Sequence, residues 1–386
     1  MLVEQTCFGQ PGDSLIQQKF QTGLSFTREG DYYRAARIYE NILNDNPGLN
    51  RVRLELAKTL FLAGQYLNSK SQFEKVLVNR PPITVVENIQ KYLVAIDETL
   101  ANQAYFEVEF FFSDFQRHKL KNEHVYLDFF GRPTPFKINK PEEKGNGLRL
   151  SSGMASPYSE NAWGAFWADA NLELFRFSNE KFNSTNLDFW LPFKTRHKTH
   201  QFEIGPILET KNKAMSKYQN GYGLKSRYSF DNQNHLTQIG TSYRSITYSL
   251  DAPTKKAIQV NFDITFRPKM TNIFSKYRAE FVRYNANEEH ESNKSLTVAL
   301  DAKEIGGGAL NVSPSFELTS TFYDEVKFPF SNKRKDDLVA VNLALNSHHF
   351  KLSGVNFTPK LRMEDSSSTV SIHSYRSLSL SFVLSK

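Results

Sequence analysis

Cysteine is nearly missing from this chain of 386 residues: Cys7 stands alone. That excludes a disulfide scaffold and a zinc site built on cysteines. Long hydrophobic runs are missing too. No stretch approaches the roughly 18 consecutive apolar residues that a membrane-spanning helix requires, so a helical membrane protein is excluded. The opening Met1-Leu2-Val3-Glu4-Gln5 has neither the basic n-region nor the apolar h-region of a secretory leader. If the protein is exported, the expected form is a mature or trimmed one. Blocks of like charge are also lacking. The net charge of +7 is spread along the chain with no long basic run, so no nucleic-acid partner is expected.

No arrangement of residues points to catalysis. His348 and His349 are adjacent, so on a strand they face opposite ways and cannot jointly hold a metal. Gly306-Gly307-Gly308 lacks the strand-to-helix setting of a phosphate loop and reads as a turn or bulge. Ser366-Ser367-Ser368 reads as a loop tip. The expectation is a protein that is not an enzyme, with no catalytic residue, cofactor or metal.

Aromatic residues, by contrast, are plentiful. The chain has 32 Phe and 17 Tyr, yet its mean hydropathy is negative. Abundant aromatics in a chain that is polar on average suit a soluble β protein or a membrane β-barrel, whose strands give only alternate residues to lipid.

The first hundred residues have a different period. Gly30 and Gly64, Tyr32 and Tyr66, Tyr39 and Phe73, and Pro47 and Pro81 are each separated by 34 residues, the period of the tetratricopeptide (TPR) helix pair. Small residues let paired helices approach, aromatics fill the gap, and proline ends the second helix. Pro82 then opens a further helix with Val85, Val86, Ile89, Leu93 and Ile96 on one face. The predicted helical domain is 1–103. Its concave face is predicted to carry Gln17, Leu24, Arg28, Arg51, Leu54, Lys58 and Phe61, either as a peptide-holding surface or as a plain solvated face.

From Tyr105 onward the period is two. Ile258, Val260, Phe262, Ile264 and Phe266 alternate with Gln259, Asn261, Asp263, Thr265 and Arg267. Many such segments exceed the five or six residues usual for soluble strands and reach the roughly nine to eleven that a membrane strand needs. Fourteen are predicted: 105–116, 146–156, 162–176, 183–193, 198–210, 218–230, 235–249, 256–267, 271–284, 291–303, 309–322, 337–346, 349–363 and 370–384. Expected tight connections at 157–161, 194–197, 231–234, 267–270 and 346–348 alternate with longer ones at 117–145, 211–217, 250–255, 285–290 and 323–336. Short periplasmic turns and longer outer loops give this parity. The short β-like piece Val125–Phe130 inside the first long loop fits either an inward plug or an outer appendage. The fold expected is thus a short TPR helical repeat domain followed by a 14-stranded antiparallel transmembrane β-barrel over 104–386.

That pattern resembles the surface lipoprotein assembly modulator (Slam) family, the outer-membrane proteins of type eleven secretion, over essentially the whole chain. The residues that carry the likeness are Arg51 to Ala57, Phe73-Glu74 and Pro81-Pro82 through Ile89. At the other end they are Arg334 to Asp336, Phe357 to Pro359, Ser366 to Ser368 and Tyr375-Arg376. The closing Leu384-Ser385-Lys386 departs from the usual aromatic last residue read by the barrel-assembly machinery. The resemblance implies a translocon of the Gram-negative outer membrane, with the helical domain in the periplasm. Its client would be a surface lipoprotein or secreted ligand-binding protein. The other partners implied are outer-membrane lipid and, during insertion, the barrel-assembly machinery; a monomeric barrel is expected. The alternative is an exopolysaccharide-export porin of TPR-plus-barrel type.

Overall fold

The computed structural model describes the chain apart from residues 1–10, 102–103, 113–118, 121–123, 130–131, 138–145, 162–163, 215, 250–253, 271–272, 307–309, 331, 347–350, 353–354 and 386. Cys7, His348, His349, Gly307 and Gly308 lie outside the described residues.

Five helices come first: α1 (Pro11–Glu29), α2 (Tyr32–Asp45), α3 (Asn50–Leu62), α4 (Tyr66–Val78) and α5 (Ile83–Ala101). The 34-residue period is a conformational repeat. Gly30 and Gly64 occupy the turn inside each helix pair, and both take a left-handed backbone, with φ of 81° and 79°, which a side chain would strain. Tyr39 and Phe73, one period apart, are each fully buried. Around Tyr39 close Phe20, Ala35, Ile42 and Leu56. Around Phe73 close Ala57, Val76, Ile89 and Ile96. Pro81 and Pro82 end α4 and launch α5, and the Pro82 carbonyl accepts the N–H of Val85 and Val86. No helix among the described residues is long and apolar enough to cross a membrane.

The rest is a 14-stranded antiparallel barrel. Its strands are β1 (Ala104–Phe112), β2 (Gly147–Asn161), β3 (Gly164–Phe177), β4 (Ser184–Trp190, resuming at Phe193–His197), β5 (His200–Lys213), β6 (Ser216–Asp231) and β7 (His235–Tyr248). They continue as β8 (Lys256–Pro268), β9 (Phe274–Ala286), β10 (Asn293–Ala302), β11 (Asn311–Tyr323), β12 (Lys335–Asn346), β13 (Val355–Ser368) and β14 (Tyr375–Ser385). Each strand pairs with the next, and β1 pairs with both β2 and β14, which closes the sheet on itself. Closure leaves no unpaired edge, the condition for a sheet to span lipid. Close packing of neighbouring backbones is visible at Gly223, where an added Cβ would lie 1.8 Å from the Tyr243 carbonyl oxygen.

The alternation sets the two faces. On β8, Ile258, Val260, Phe262 and Ile264 all point outward and stay exposed. Across the ladder Phe262 meets Phe281, and Phe281 meets Leu296; Phe262 is 46% exposed. An apolar band of this kind, repeated on strand after strand, is a lipid-facing surface.

The structure corrects the sequence reading in detail. The stretch 157–161 lies within β2 and 194–197 within β4, not in turns. β4 is interrupted at Leu191-Pro192, where Pro cannot donate to the ladder and the Leu191 N–H turns instead to the Pro206 carbonyl at 3.0 Å. The connection expected to be long at 211–217 is tight, with Ala214 in a left-handed conformation. After β12 ends at Asn346, the described pair Lys351-Leu352 is itself a short strand that pairs with Val355-Asn356 at the start of β13, and β14 starts later than expected, at Tyr375. Ser366-Ser367-Ser368 is the end of β13 rather than a loop tip, and Ser366 is buried. Of the β-like piece Val125–Phe130, Phe130 lies outside the described residues, and the rest belongs to a hairpin of His124–Phe129 with Arg132–Lys137. The Ser371 hydroxyl of the β13–β14 turn donates to its His124 carbonyl at 3.2 Å, so the hairpin rests on the rim.

Candidate functional site: the barrel lumen and the helical repeat

The inward residues of the strands build a polar wall. Arg149 on β2 reaches Glu173 at 2.7 Å, Glu109 at 3.4 Å and Glu107 at 3.6 Å. Glu109 also accepts the Ser381 hydroxyl of β14 at 2.6 Å, so one arginine ties together strands on both sides of β1. On the later strands, Arg278, Ala299, Glu317, Ala340 and Glu364 follow one another across the ladders from β9 to β13. The two alanines are small and buried, which lets long side chains bridge over an intervening strand. Arg278 meets Glu317 at 3.4 Å, and Arg362 meets Glu317 at 3.7 Å and Glu364 at 2.5 Å. Further along, Arg244 pairs with Glu209 at 3.4 Å, and Glu209 lies directly opposite Asp188. Mixed, cross-linked charges of this kind make a stiff hydrophilic wall.

One aromatic in that wall is capped by cations. Lys225 Nζ sits 4.3 Å and the Arg227 guanidinium 5.1 Å from the Trp190 ring centre, within cation–π range. Trp190 is buried. No group of His, Cys, Asp and Glu suited to a metal ion occurs among the described residues.

One rim of the barrel is built on a repeated clasp. Three turns, after β3, β9 and β13, carry a single 3₁₀ turn at Glu180–Phe182, Glu289–Glu291 and Ser371–His373. Each is followed by a buried polar residue that folds back on the preceding strand. Asn183 accepts the Phe177 N–H at 2.7 Å, Ser292 the Ala286 N–H at 2.9 Å, and Ser374 the Ser368 N–H at 2.8 Å. Burial lowers the His373 imidazole below its ordinary value, and the nearby Arg334 adds to this. The hydrogen bond from Arg283 holds the Asp324 carboxyl below the usual carboxylate range.

The helices belong to a compact unit that also contains Ala155–Ala168 and Phe193–Glu203. Within it, the Glu160 carboxylate accepts the N–H of Leu67 at 3.1 Å and of Asn68 at 2.8 Å. The Tyr33 hydroxyl accepts the Arg196 N–H at 3.0 Å. Of the residues assigned to the concave face, Leu24 packs against the first helical core, and Leu54 and Phe61 against the second. Phe61 stands edge-on to Tyr66 and Tyr92. Arg51 lies over the Phe20 ring at 5.5 Å, and Lys58 pairs with Glu55 at 2.9 Å. Gln17 is half-buried and Arg28 exposed. Structural packing thus engages the apolar members of the set, and the polar members remain on the surface.

No protein-family model and no curated protein matches the chain. Among solved structures, it is similar to a bacterial polysaccharide outer membrane secretin at 12% identity, over 74% of this chain and 98% of that one, with a TM-score of 0.39. It is also similar to OccK2 (OpdF) of Pseudomonas aeruginosa in complex with glucuronate, at 9% identity over 74% and 97% of the two chains and a TM-score of 0.35. A BenF-like porin from Pseudomonas fluorescens Pf-5 gives 8% identity over 74% and 97%, again at 0.35. These are distant likenesses between barrels, and the fold stands on the strand ladders themselves.

Proposed function

We propose that this chain resides in the outer membrane of a Gram-negative bacterium and exports or displays a partner protein, a surface lipoprotein or a secreted ligand-binding protein. The supporting observation is the pairing, in one chain, of a closed barrel whose wall is polar inside and apolar outside with a helical domain, which we read as a repeat of tetratricopeptide type from its 34-residue period. Such repeats offer side chains to peptides along one face; here Gln17, Arg28, Arg51 and Lys58 are the polar candidates for first capture of the client in the periplasm. The Slam-like segments described above support the same reading. A fourteen-stranded lumen is too narrow for a folded domain, so the client crosses at least partly unfolded.

Export of a polysaccharide is the second reading. It asks for aromatic faces open to sugar rings in the lumen, whereas the Trp190 ring is covered by Lys225 and Arg227, which favours the protein client.

The test is surface exposure. The protein is expressed with a candidate client encoded beside it, and protease is added to intact cells. The client is digested only when this barrel is present. If exposure is unchanged while polysaccharide export or solute permeability depends on the barrel, the porin reading replaces this one.

A further inference from the structure

The rim hairpin, His124–Phe129 against Arg132–Lys137, is a two-stranded sheet of its own, with no third strand beside it among the described residues. Such a hairpin is marginal by itself in water, and each of its strands has an outer edge. The two edges differ. Pro133 lies directly opposite Asp128, and Pro135 opposite Tyr126. In an antiparallel ladder, opposed residues alternate between pairs that exchange both backbone hydrogen bonds and pairs that exchange none. Proline has no N–H to exchange, so the bonded pairs are Val125 with Phe136 and Leu127 with Thr134. The backbone N–H and C=O groups of His124, Tyr126 and Asp128 therefore point away from the hairpin. His124 shows the direction, because its carbonyl accepts the Ser371 hydroxyl of the β13–β14 turn. On the other edge, positions 133 and 135 have no donor to offer.

The open edge is firmly mounted. Val125 is buried, and the turn that holds His124 is itself tied down: the Thr369 hydroxyl accepts the Lys335 N–H at 2.8 Å and donates to the Lys333 carbonyl at 2.9 Å. Tyr126, whose side chain alternates with that of Val125, is 64% exposed. This rim, where β14 begins at Tyr375, is the end of the barrel opposite the one where β1 begins at Ala104. In the export reading it is the exit. A client that crosses unfolded arrives there with backbone groups that lack partners, and a strand edge recognises extended backbone whatever side chains it carries. An edge already held in place loses little freedom on pairing.

We propose that the outward edge at Tyr126 and Asp128 receives an extended segment of the exported client as an added β-strand, through the backbone hydrogen bonds of those two residues. Pro133 and Pro135 deny the opposite edge its donors, so the hairpin admits a strand on one side only. The inference rests on the export reading and deepens it, by assigning where the client is held as it leaves the lumen.

The full-length protein is expressed with the candidate client encoded beside it, and surface-exposed client is read by protease digestion of intact cells. Tyr126→Pro removes an outward N–H and leaves the bonded pairs of Val125 and Leu127 in place, whereas Tyr126→Ala removes the side chain and keeps the N–H. Exposed client falls roughly tenfold in Tyr126→Pro relative to Tyr126→Ala, the effect of one lost edge hydrogen bond and the proline ring. Heat-modifiable mobility reports that both barrels are folded. A second readout needs no variant: in the purified wild-type protein, added client slows amide exchange at Tyr126 and Asp128 and leaves 132–137 unchanged. Equal exposure in the two variants, or protection of 132–137 instead, overturns the edge. Protection of 124–129 that grows with barrel concentration in the absence of client assigns the edge to a second copy and overturns the client assignment. A wild-type barrel that exposes no client overturns the export reading and the site with it, whereas wild-type export that Tyr126→Pro leaves intact overturns the site alone.

Discussion

Glu160, at the end of β2, caps a helix to which it is not joined in sequence: its carboxylate accepts the backbone N–H groups of Leu67 and Asn68 in the first turn of α4. That helix has no side-chain cap of its own at Gln65, so the acidic residue satisfies donors that would otherwise be orphaned and meets the positive end of the helix dipole. Replacement by alanine is expected to cost about 1 kcal/mol locally. Hydrogen exchange at the Leu67 and Asn68 amides is the readout. Glu160→Ala speeds exchange there and leaves the α2 amides unchanged, whereas uniform acceleration through all the helices contradicts a local cap.

The three clasps on the rim predict a graded loss. Ser292→Ala removes the acceptor for the Ala286 N–H, and Asn183→Ala does the same for Phe177. Each leaves a buried donor without its partner, at a cost of about 1–3 kcal/mol. Urea unfolding in lipid vesicles followed by tryptophan fluorescence shows lowered midpoints with unchanged slope. A double variant is expected to be additive, because the two turns share no partner.

Arg149 holds three carboxylates on the lumen wall. Arg149→Gln leaves Glu107, Glu109 and Glu173 without their cation, which is expected to destabilise the barrel by roughly 2 kcal/mol and to make the pore more cation-selective. Reversal potentials in planar bilayers under a salt gradient check this. A shift toward anion selectivity contradicts the inward placement of these groups.

His373 gives the rim a pH dependence. Its folded value lies below the ordinary one because burial disfavours the charged ring. The neutral ring therefore contributes stability that is present above about 6.5 and is lost as pH falls through the folded value. The groups around it are Arg334, Asp336, Lys327 and Glu291. Exchange at residues 369–374 and in the hairpin held through Ser371 should rise on acidification. In His373→Gln that rise disappears; a rise that persists in the variant assigns it to another group.

The sequence makes the barrel legible because its signal is local: a residue such as Phe262 announces its face by alternating with Asn261 and Asp263. Strand β14 is placed too early because Val370 and Ile372 extend its alternation in the sequence although they sit at a 3₁₀ turn, and β13 is ended too early at 363. Polar residues such as Asp365 and Ser367 then continue the strand at a rim where lipid no longer forbids them. The lumen network is not legible, since alternation tells which face Arg149 occupies but not that its partners stand on β1 and β3. The clasps are hidden for a similar reason: Asn183, Ser292 and Ser374 are ordinary turn residues until burial and register reveal what they bind. On the helices, the 34-residue period exposes Gly30, Gly64, Tyr39 and Phe73. It does not reveal that Leu54 and Phe61 are partly occupied by packing.

The most direct test of the central claim, passage of a partner protein through this barrel, is site-specific photocrosslinking during export. A photoreactive residue is placed at Asn261, on the lumen face of β8, or at the neighbouring Phe262, on the lipid face. The account predicts that the candidate client is captured from position 261 and not from 262 while it is being exported. Capture from neither position during productive export, or from 262 alone, contradicts passage through the lumen.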